Sequence, residues 1–166
     1  YWTAISLTFD QSFKFLIPIA IILLPASLAL FYGLIIHLFS TFYSKNVASS
    51  FFIFSILFGT TEFVRGSILT GFPWNLISFS FSDSIYFVQI LSIIGTYSFN
   101  LICISLFTVP ALFVLRNSRL DVMVCFFFIL ISSGFLIFGH IKINNFNSLD
   151  SIKNTYSIKA ISSNIS

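Results

Sequence analysis

Residues 61–74 read TEFVRGSILTGFPW, and long apolar runs extend from this stretch toward both ends of the chain. The stretch holds Glu62 and Arg65, a close pair of opposite charges beside an apolar run. It then supplies the densest turn-forming residues of the chain and an aromatic residue of the kind that prefers membrane interfaces: Gly66, Gly71, Pro73 and Trp74. A charged helix end followed by a tight turn therefore divides the protein into two apolar halves.

The composition is that of a membrane protein. Hydrophobic residues make up 57% of the 166 residues and charged residues only 8%, whereas a soluble domain carries about 25% charged residues. The mean hydropathy is +1.02, and the net charge of +3 is spread over the loops without a nucleic-acid-binding patch. We therefore expect membrane lipids as partners and no nucleic acid.

Long uncharged runs predict an all-α fold, a polytopic transmembrane helix bundle with about four complete spans plus the end of another at residues 1–7. A helix crosses the hydrocarbon of a bilayer with about 20 apolar residues. The predicted spans are about 15–37, 47–65, 85–115 and 122–141. The third run exceeds one crossing, so it is either tilted or begins at the interface. Gly95, Ser98 and Asn100 fall in its first half, where small and amide side chains could pack against a neighbouring helix.

The composition changes after the last span. Residues 1–142 are predicted to form the bundle, and the polar residues 143–155 a linker. Residues 156–166 alternate weakly in polarity, which predicts the first strand of a soluble domain. A lone strand is not stable by itself, and the chain also begins within a pattern and without Met, so we expect an excerpt of a longer protein.

The charges of the loops predict the orientation of the bundle. One short loop carries Lys45 and another carries Arg116 and Arg119, and neither contains an acidic residue. By the positive-inside rule these loops are cytoplasmic. Residues 61–74 and the C-terminal tail are then expected on the extracytoplasmic side.

Glu62 and Arg65 are the first candidates for a functional site. They are three positions apart, so they can meet on one face of a helix, and an ionisable residue in a membrane segment suggests a function. One hypothesis is that the pair only neutralises itself at the interface and fastens the helix end to the loop. The other is that Arg65 attracts a lipid phosphate, or that the pair shapes a loop at a lipid entrance. Gly71 and Pro73 would form a tight turn in that loop, and Trp74 would anchor it.

Two cysteines, Cys103 and Cys125, lie inside apolar runs. A cysteine in such a run usually acts as a small hydrophobic residue. The sequence contains no Cys-x-x-Cys motif or Cys/His cluster that would bind a metal. We therefore expect neither a metal nor a cofactor.

The residues around the charged pair match a known signature. EFVRG at 62–66, followed by TGFPWN at 70–75 with Phe72 between the turn residues, resembles the membrane-domain signature of bacterial apolipoprotein N-acyltransferases. Residues 89–100 resemble the helix that follows this signature. Residues 156–165 are similar to the first strand of the family's nitrilase-like domain, although Ser162 stands where the family usually has Gln.

The resemblance implies a fold and a reaction. The fold is an eight-helix membrane bundle of the bacterial inner membrane with a periplasmic nitrilase-like domain, so this chain would be the membrane portion and its tail periplasmic. The reaction takes an acyl chain from a phospholipid onto a catalytic Cys and transfers it to the diacylglyceryl-cysteine of a lipoprotein. A Glu acts as general base and a Lys supports the oxyanion. The resemblance places all three residues beyond Ser166, so no catalytic residue is assigned here and the chain is expected to be inactive alone.

A second hypothesis is a small polytopic transporter or a structural membrane protein, with Glu62 and Arg65 in a polar pathway between helices. It is disfavoured because no other acidic or basic residue lies inside the predicted spans to continue such a pathway.

Overall fold

A computed structural model describes residues 15–68 and 76–149, and these ranges are helical with no strand. The helices are α1 (Ile17–Phe42), α2 (Val47–Ile68), a 3-10 helix (Ile77–Phe81), α3 (Ile85–Val88), α4 (Leu91–Leu115) and α5 (Arg119–Leu149). By length and composition, α1, α2, α4 and α5 can each cross a membrane. The prediction of an all-α bundle with four long apolar helices is therefore confirmed. The predicted helix end at 1–7 and strand at 156–166 lie outside the described residues.

Each long helix packs against the next one along the chain, and the last also contacts the second. α1 packs on α2, α2 on α4 and α4 on α5, while α5 also touches α2. The 3-10 helix lies against α4, and α3 lies against α5. The bundle has a short-turn end, at residues 43–46 and 116–118, and a long-loop end, where α2 finishes and α4 begins.

Each end has its own apolar core. At the short-turn end the buried cluster is Phe51, Leu112, Cys125 and Phe128. At the long-loop end it is Phe87, Ile90, Phe99 and Cys103. Outside these clusters the helices expose large apolar side chains: Leu30 is 75% exposed and Val114 79%. Such faces suit hydrocarbon rather than water as the surrounding solvent.

The run predicted as one span at 85–115 is divided. α3 ends at Val88, a turn follows, and α4 begins at Leu91. Gly95, with a φ of 74°, interrupts the helical geometry again inside α4, in a backbone region that glycine adopts without steric cost. The first part of the run is thereby free to pack on α5 while the rest packs between α2 and α5.

The last helix is longer than the predicted span. α5 continues to Leu149 and takes in residues 143–149, the first half of the segment predicted as a linker. His140 and Asn144 lie one turn apart where this extension begins, and their side chains are in contact, with 3.0 Å between His140 Nε2 and Asn144 Nδ2. A polar helix can continue past the hydrocarbon because its backbone hydrogen bonds are internal to the segment. Residues 150–155 lie outside the described ranges.

Candidate functional site

Glu62 and Arg65 lie in the last two turns of α2 and face the interior of the bundle. Their side chains meet on one face of the helix, with 3.5 Å between Glu62 Oε1 and Arg65 Nη2. Glu62 is only 2% exposed and Arg65 only 5%. The pair is therefore enclosed by neighbouring helices and does not present its charges at the surface of the described bundle.

Asn100 of α4 joins three segments at this pair. Its Nδ2 donates a hydrogen bond to Glu62 Oε2, and its Oδ1 accepts one from the backbone N–H of Ser78 at 2.9 Å. Asn100 is 1% exposed. The expected contact with a neighbouring helix is confirmed for Asn100, and it reaches both α2 and the 3-10 helix. Ser98 is exposed, and a Cβ at Gly95 would meet open space. Its position inside a charge-free run was the only sequence signal of this role.

Tyr32 connects α1 to the same network. Arg65 Nη1 donates a hydrogen bond to the hydroxyl oxygen of Tyr32 at 3.2 Å, and the guanidinium carbon lies 6.0 Å from the centre of the tyrosine ring. The sequence pattern does not identify Tyr32. Its one signal is a phenol hydroxyl inside an apolar run, where few polar partners are at hand.

Gly66 allows α4 to approach α2 beside the charged pair. A Cβ atom at this position would overlap the hydroxyl of Tyr97 on α4. The Tyr97 ring also packs edge-on against Phe63, with 5.0 Å between the ring centres. The glycine of the EFVRG stretch is therefore a site of close packing within α2, rather than a residue of the following turn.

The network lies on both sides of residues 69–75. On one side α2 carries Glu62 and Arg65, and on the other side Ser78 is tied to Asn100. Leu76, the first described residue after the gap, is buried. The remaining predicted site residues fall inside the gap and so lie outside the described residues: Gly71, Phe72, Pro73 and Trp74.

The carboxylate of Glu62 has unequal partners. Oε2 is bonded to Asn100, whereas Oε1 accepts no hydrogen bond from the residues that the structure describes and has only the longer contact to Arg65. Buried carboxylates are stable when charge pairing and hydrogen bonds are both present. This arrangement can hold helix ends in place, but its burial prevents direct contact with a lipid headgroup.

Asp121, which was not among the predicted site residues, fixes the short-turn end. It is fully buried. Its Oδ1 accepts a hydrogen bond from the backbone N–H of Ala48 at 3.0 Å, and its Oδ2 accepts from those of Asn117 and Ser118 at 2.9 Å each. Ser118 Oγ in turn accepts from the N–H of Asp121 at 3.3 Å. The Ser-x-x-Asp spacing is a signature of this reciprocal helix cap and would have identified it.

The two cysteines are core residues. Both are free thiols, and each belongs to one of the two apolar clusters, Cys103 at the long-loop end and Cys125 at the short-turn end. This agrees with the prediction that they act as small hydrophobic residues. Within residues 15–68 and 76–149, no group of three or more His, Cys, Asp or Glu side chains could hold a metal ion.

Comparison with known proteins gives one consistent result. The family model of the apolipoprotein N-acyltransferase N-terminal domain matches residues 1–109. A relative from Rhizobium etli with the name apolipoprotein N-acyltransferase is 35% identical over 118 residues, which are 70% of this chain and 22% of the relative. Relatives of the same name from Rickettsia prowazekii and Allorhizobium ampelinum are 38% and 30% identical, over 65% and 79% of this chain and 22% and 23% of their own lengths. No solved structure matches significantly. The chain thus spans about a fifth of the length of these relatives.

Proposed function

This chain belongs to the apolipoprotein N-acyltransferase family, as part of its N-terminal membrane domain, and we propose that it supports the transfer of an acyl chain from a phospholipid to the diacylglyceryl-cysteine of lipoproteins. The observation that carries this proposal is the buried network of Glu62, Arg65 and Asn100 on both sides of residues 69–75. The segment between those flanks contains the GFPW part of the family signature.

We assign the network a positioning role. Glu62 and Arg65 are too deeply buried to contact a lipid phosphate, so of the two functions considered for the pair, shaping the loop fits better than binding the headgroup. A lipid contact then belongs to the loop itself, for which Gly71, Phe72, Pro73 and Trp74 are the candidate residues. Tyr32 and Asn100 join the network as further positioning residues.

The chemical steps take place elsewhere in the enzyme. By family likeness the catalytic Glu, Lys and Cys belong to a nitrilase-like domain, of which residues 156–166 are proposed to be the first strand. The bundle is proposed to lie in the bacterial inner membrane with this tail in the periplasm. Supporting this orientation, the short-turn end exposes Lys45, Arg116 and Arg119, as expected for a cytoplasmic face.

A chimera tests the proposal. Residues 1–109 of this chain replace the matching segment of the Rickettsia prowazekii relative, and membranes containing the chimera are given a phospholipid with a labelled acyl chain and a diacylglyceryl-cysteine peptide. We expect label on the amino group of the peptide. A chimera that inserts and folds like the relative but transfers no label would contradict the proposed function.

Substitutions in the same chimera test the positioning role. Asn100→Leu removes the amide that links α2 to the 3-10 helix, so we expect acyl transfer to fall at least tenfold. Thr96→Leu, one turn earlier on α4 and exposed, is the matched control and should leave transfer within about twofold of the parent chimera, as for a typical surface substitution. If Asn100→Leu transferred the acyl chain as well as Thr96→Leu does, the network would not position the loop.

A further inference from the structure

A groove of about 470 Å³ opens at the short-turn end, on the opposite end of the bundle from Glu62. It lies between the end of α1, the first two turns of α2 and the last two turns of α4. Small-molecule sites in proteins occupy about 300–1,000 Å³, so the groove is large enough for a ligand. Its lining includes Phe39, Tyr43, Lys45, Phe54, Ala111 and Asn117.

The lining of the groove is mostly apolar, and three of its polar residues, Tyr43, Lys45 and Asn117, belong to the two turns at 43–46 and 116–118. Phe39 packs edge-on against Phe54, with 5.5 Å between the ring centres, and against Tyr43, at 5.9 Å. An occupant that fits has a hydrocarbon body and a polar head, and tyrosine at such a boundary is typical of the membrane interface.

The turns at this end favour a negatively charged head. Lys45 is exposed, and Arg116 and Arg119 are exposed on the neighbouring turn. No acidic residue lines the groove among the described residues. The carboxylate of this end, Asp121, is fully buried and bonded to three backbone N–H groups, so it is not free to pair with these cations.

We propose that this groove binds one anionic bilayer phospholipid, with an acyl chain against Phe39 and Phe54 and the phosphate at Lys45. The bound lipid joins α1 to α4, which flank the groove without extensive contact with each other. The site is separate from the proposed acyl-donor entrance, because it opens at the other end of the bundle, and it does not depend on the proposed function.

Photo-crosslinking of the full chain tests this site. The chain is reconstituted in phosphatidylcholine vesicles that contain a small fraction of phosphatidylglycerol with a diazirine on its acyl chain, and the crosslinked peptides are identified by mass spectrometry. A second preparation carries the diazirine on phosphatidylcholine. We expect phosphatidylglycerol to label the peptides that line the groove, and to label them several-fold more than phosphatidylcholine does.

Two pairs of variants locate the head and the chain of the lipid. Lys45→Gln should lower phosphatidylglycerol labelling of the groove about fivefold, the factor for one cation at an anionic surface, while Lys142→Gln at the long-loop end leaves it unchanged. Ala111→Trp, which fills the groove, should abolish groove labelling. Gly134→Trp, where an added Cβ meets open space, should preserve it. Circular dichroism confirms that each variant keeps its helical content.

Four results would overturn the proposal. Equal groove labelling by the two lipids, or no response to Lys45→Gln, would remove the anionic headgroup from the site. No groove labelling by either lipid would show that something other than a phospholipid covers these residues. Groove labelling that survives Ala111→Trp in a folded protein would place the acyl chain elsewhere.

Discussion

The two ends of the bundle each bury a carboxylate, and they hold it in different ways. At the short-turn end, Asp121 accepts hydrogen bonds from three backbone N–H groups, two of them within four residues along the chain. At the long-loop end, Glu62 relies on side chains, an amide from α4 and a guanidinium that is itself bonded to α1. Backbone donors are fixed by a local turn, whereas side-chain donors are in place only when three helices are assembled.

The two arrangements differ in what must stay folded for the carboxylate to keep its partners. The Asp121 cap keeps its geometry as long as one turn and the start of α2 remain folded. The Glu62 network holds its geometry only when α1, α2 and α4 keep their relative positions. A loop attached to the second arrangement is therefore sensitive to helix packing, which suits a segment proposed to admit a lipid.

Removing the guanidinium should have the largest effect. Arg65→Met leaves the buried carboxylate of Glu62 without its charged partner, and breaking a buried pair in this way costs about 3–5 kcal/mol. We expect this loss in the free energy of unfolding, measured by titrating micelle-embedded protein with a denaturing detergent and following helicity. The double variant Glu62→Gln/Arg65→Met should recover most of the loss. A loss below about 1 kcal/mol, the range of exposed ion pairs, would show that the Glu62 network does not stabilise the long-loop end as a buried ion pair does.

The Asp121 cap should rank second. Asp121→Ala leaves three backbone donors without their acceptor, and each hydrogen bond to a charged group contributes about 1.5–3 kcal/mol, part of which water at the turn restores. We expect a net loss of about 2–3 kcal/mol, together with faster amide hydrogen exchange at Ala48, Asn117 and Ser118. Faster exchange at Ser78, which belongs to the other end, would show that the two ends are not independent.

Helix packing at the long-loop end can be tested with two glycines of α5. A Cβ at Gly139 would overlap the backbone of Tyr86 on α3, whereas a Cβ at Gly134 meets open space. Gly139→Ala should therefore lower stability by about 1–3 kcal/mol through overpacking. Gly134→Ala should raise it by about 0.5–1 kcal/mol, the usual helix preference for alanine. If Gly139→Ala and Gly134→Ala shifted the melting temperature in the same direction, α3 would not approach α5 closely at Gly139.

The smallest expected effect is the coupling between the ends. Ala48 and Glu62 are 14 residues apart on α2, about 21 Å at 1.5 Å per residue, and the two carboxylates share no partner in the structure described. The losses from Arg65→Met and Asp121→Ala should add to within about 0.5 kcal/mol. A larger interaction energy in the double variant would indicate that α2 transmits strain from one end to the other.

Sequence patterns identified part of the site because part of it is local. Glu62 and Arg65 are one turn apart, so their spacing alone places them together, and the Ser-x-x-Asp cap around Asp121 is visible in the same way. Tyr32 was not predictable, because nothing in its surroundings along the chain indicates which helix its hydroxyl faces. Asn100 was predicted to meet a neighbouring helix but not which one, for the same reason.

The apolar runs are enough to identify this chain as a bundle of membrane helices, because their length and uncharged character leave no other way to satisfy the backbone in lipid. The charged pair and the family signature are likewise visible along the chain. Helix packing adds that the pair is enclosed, that Asn100 and Tyr32 complete its surroundings, and that a groove opens beside Lys45 at the other end. Those features depend on which helix faces meet, and contacts between distant segments leave no periodic trace along the chain.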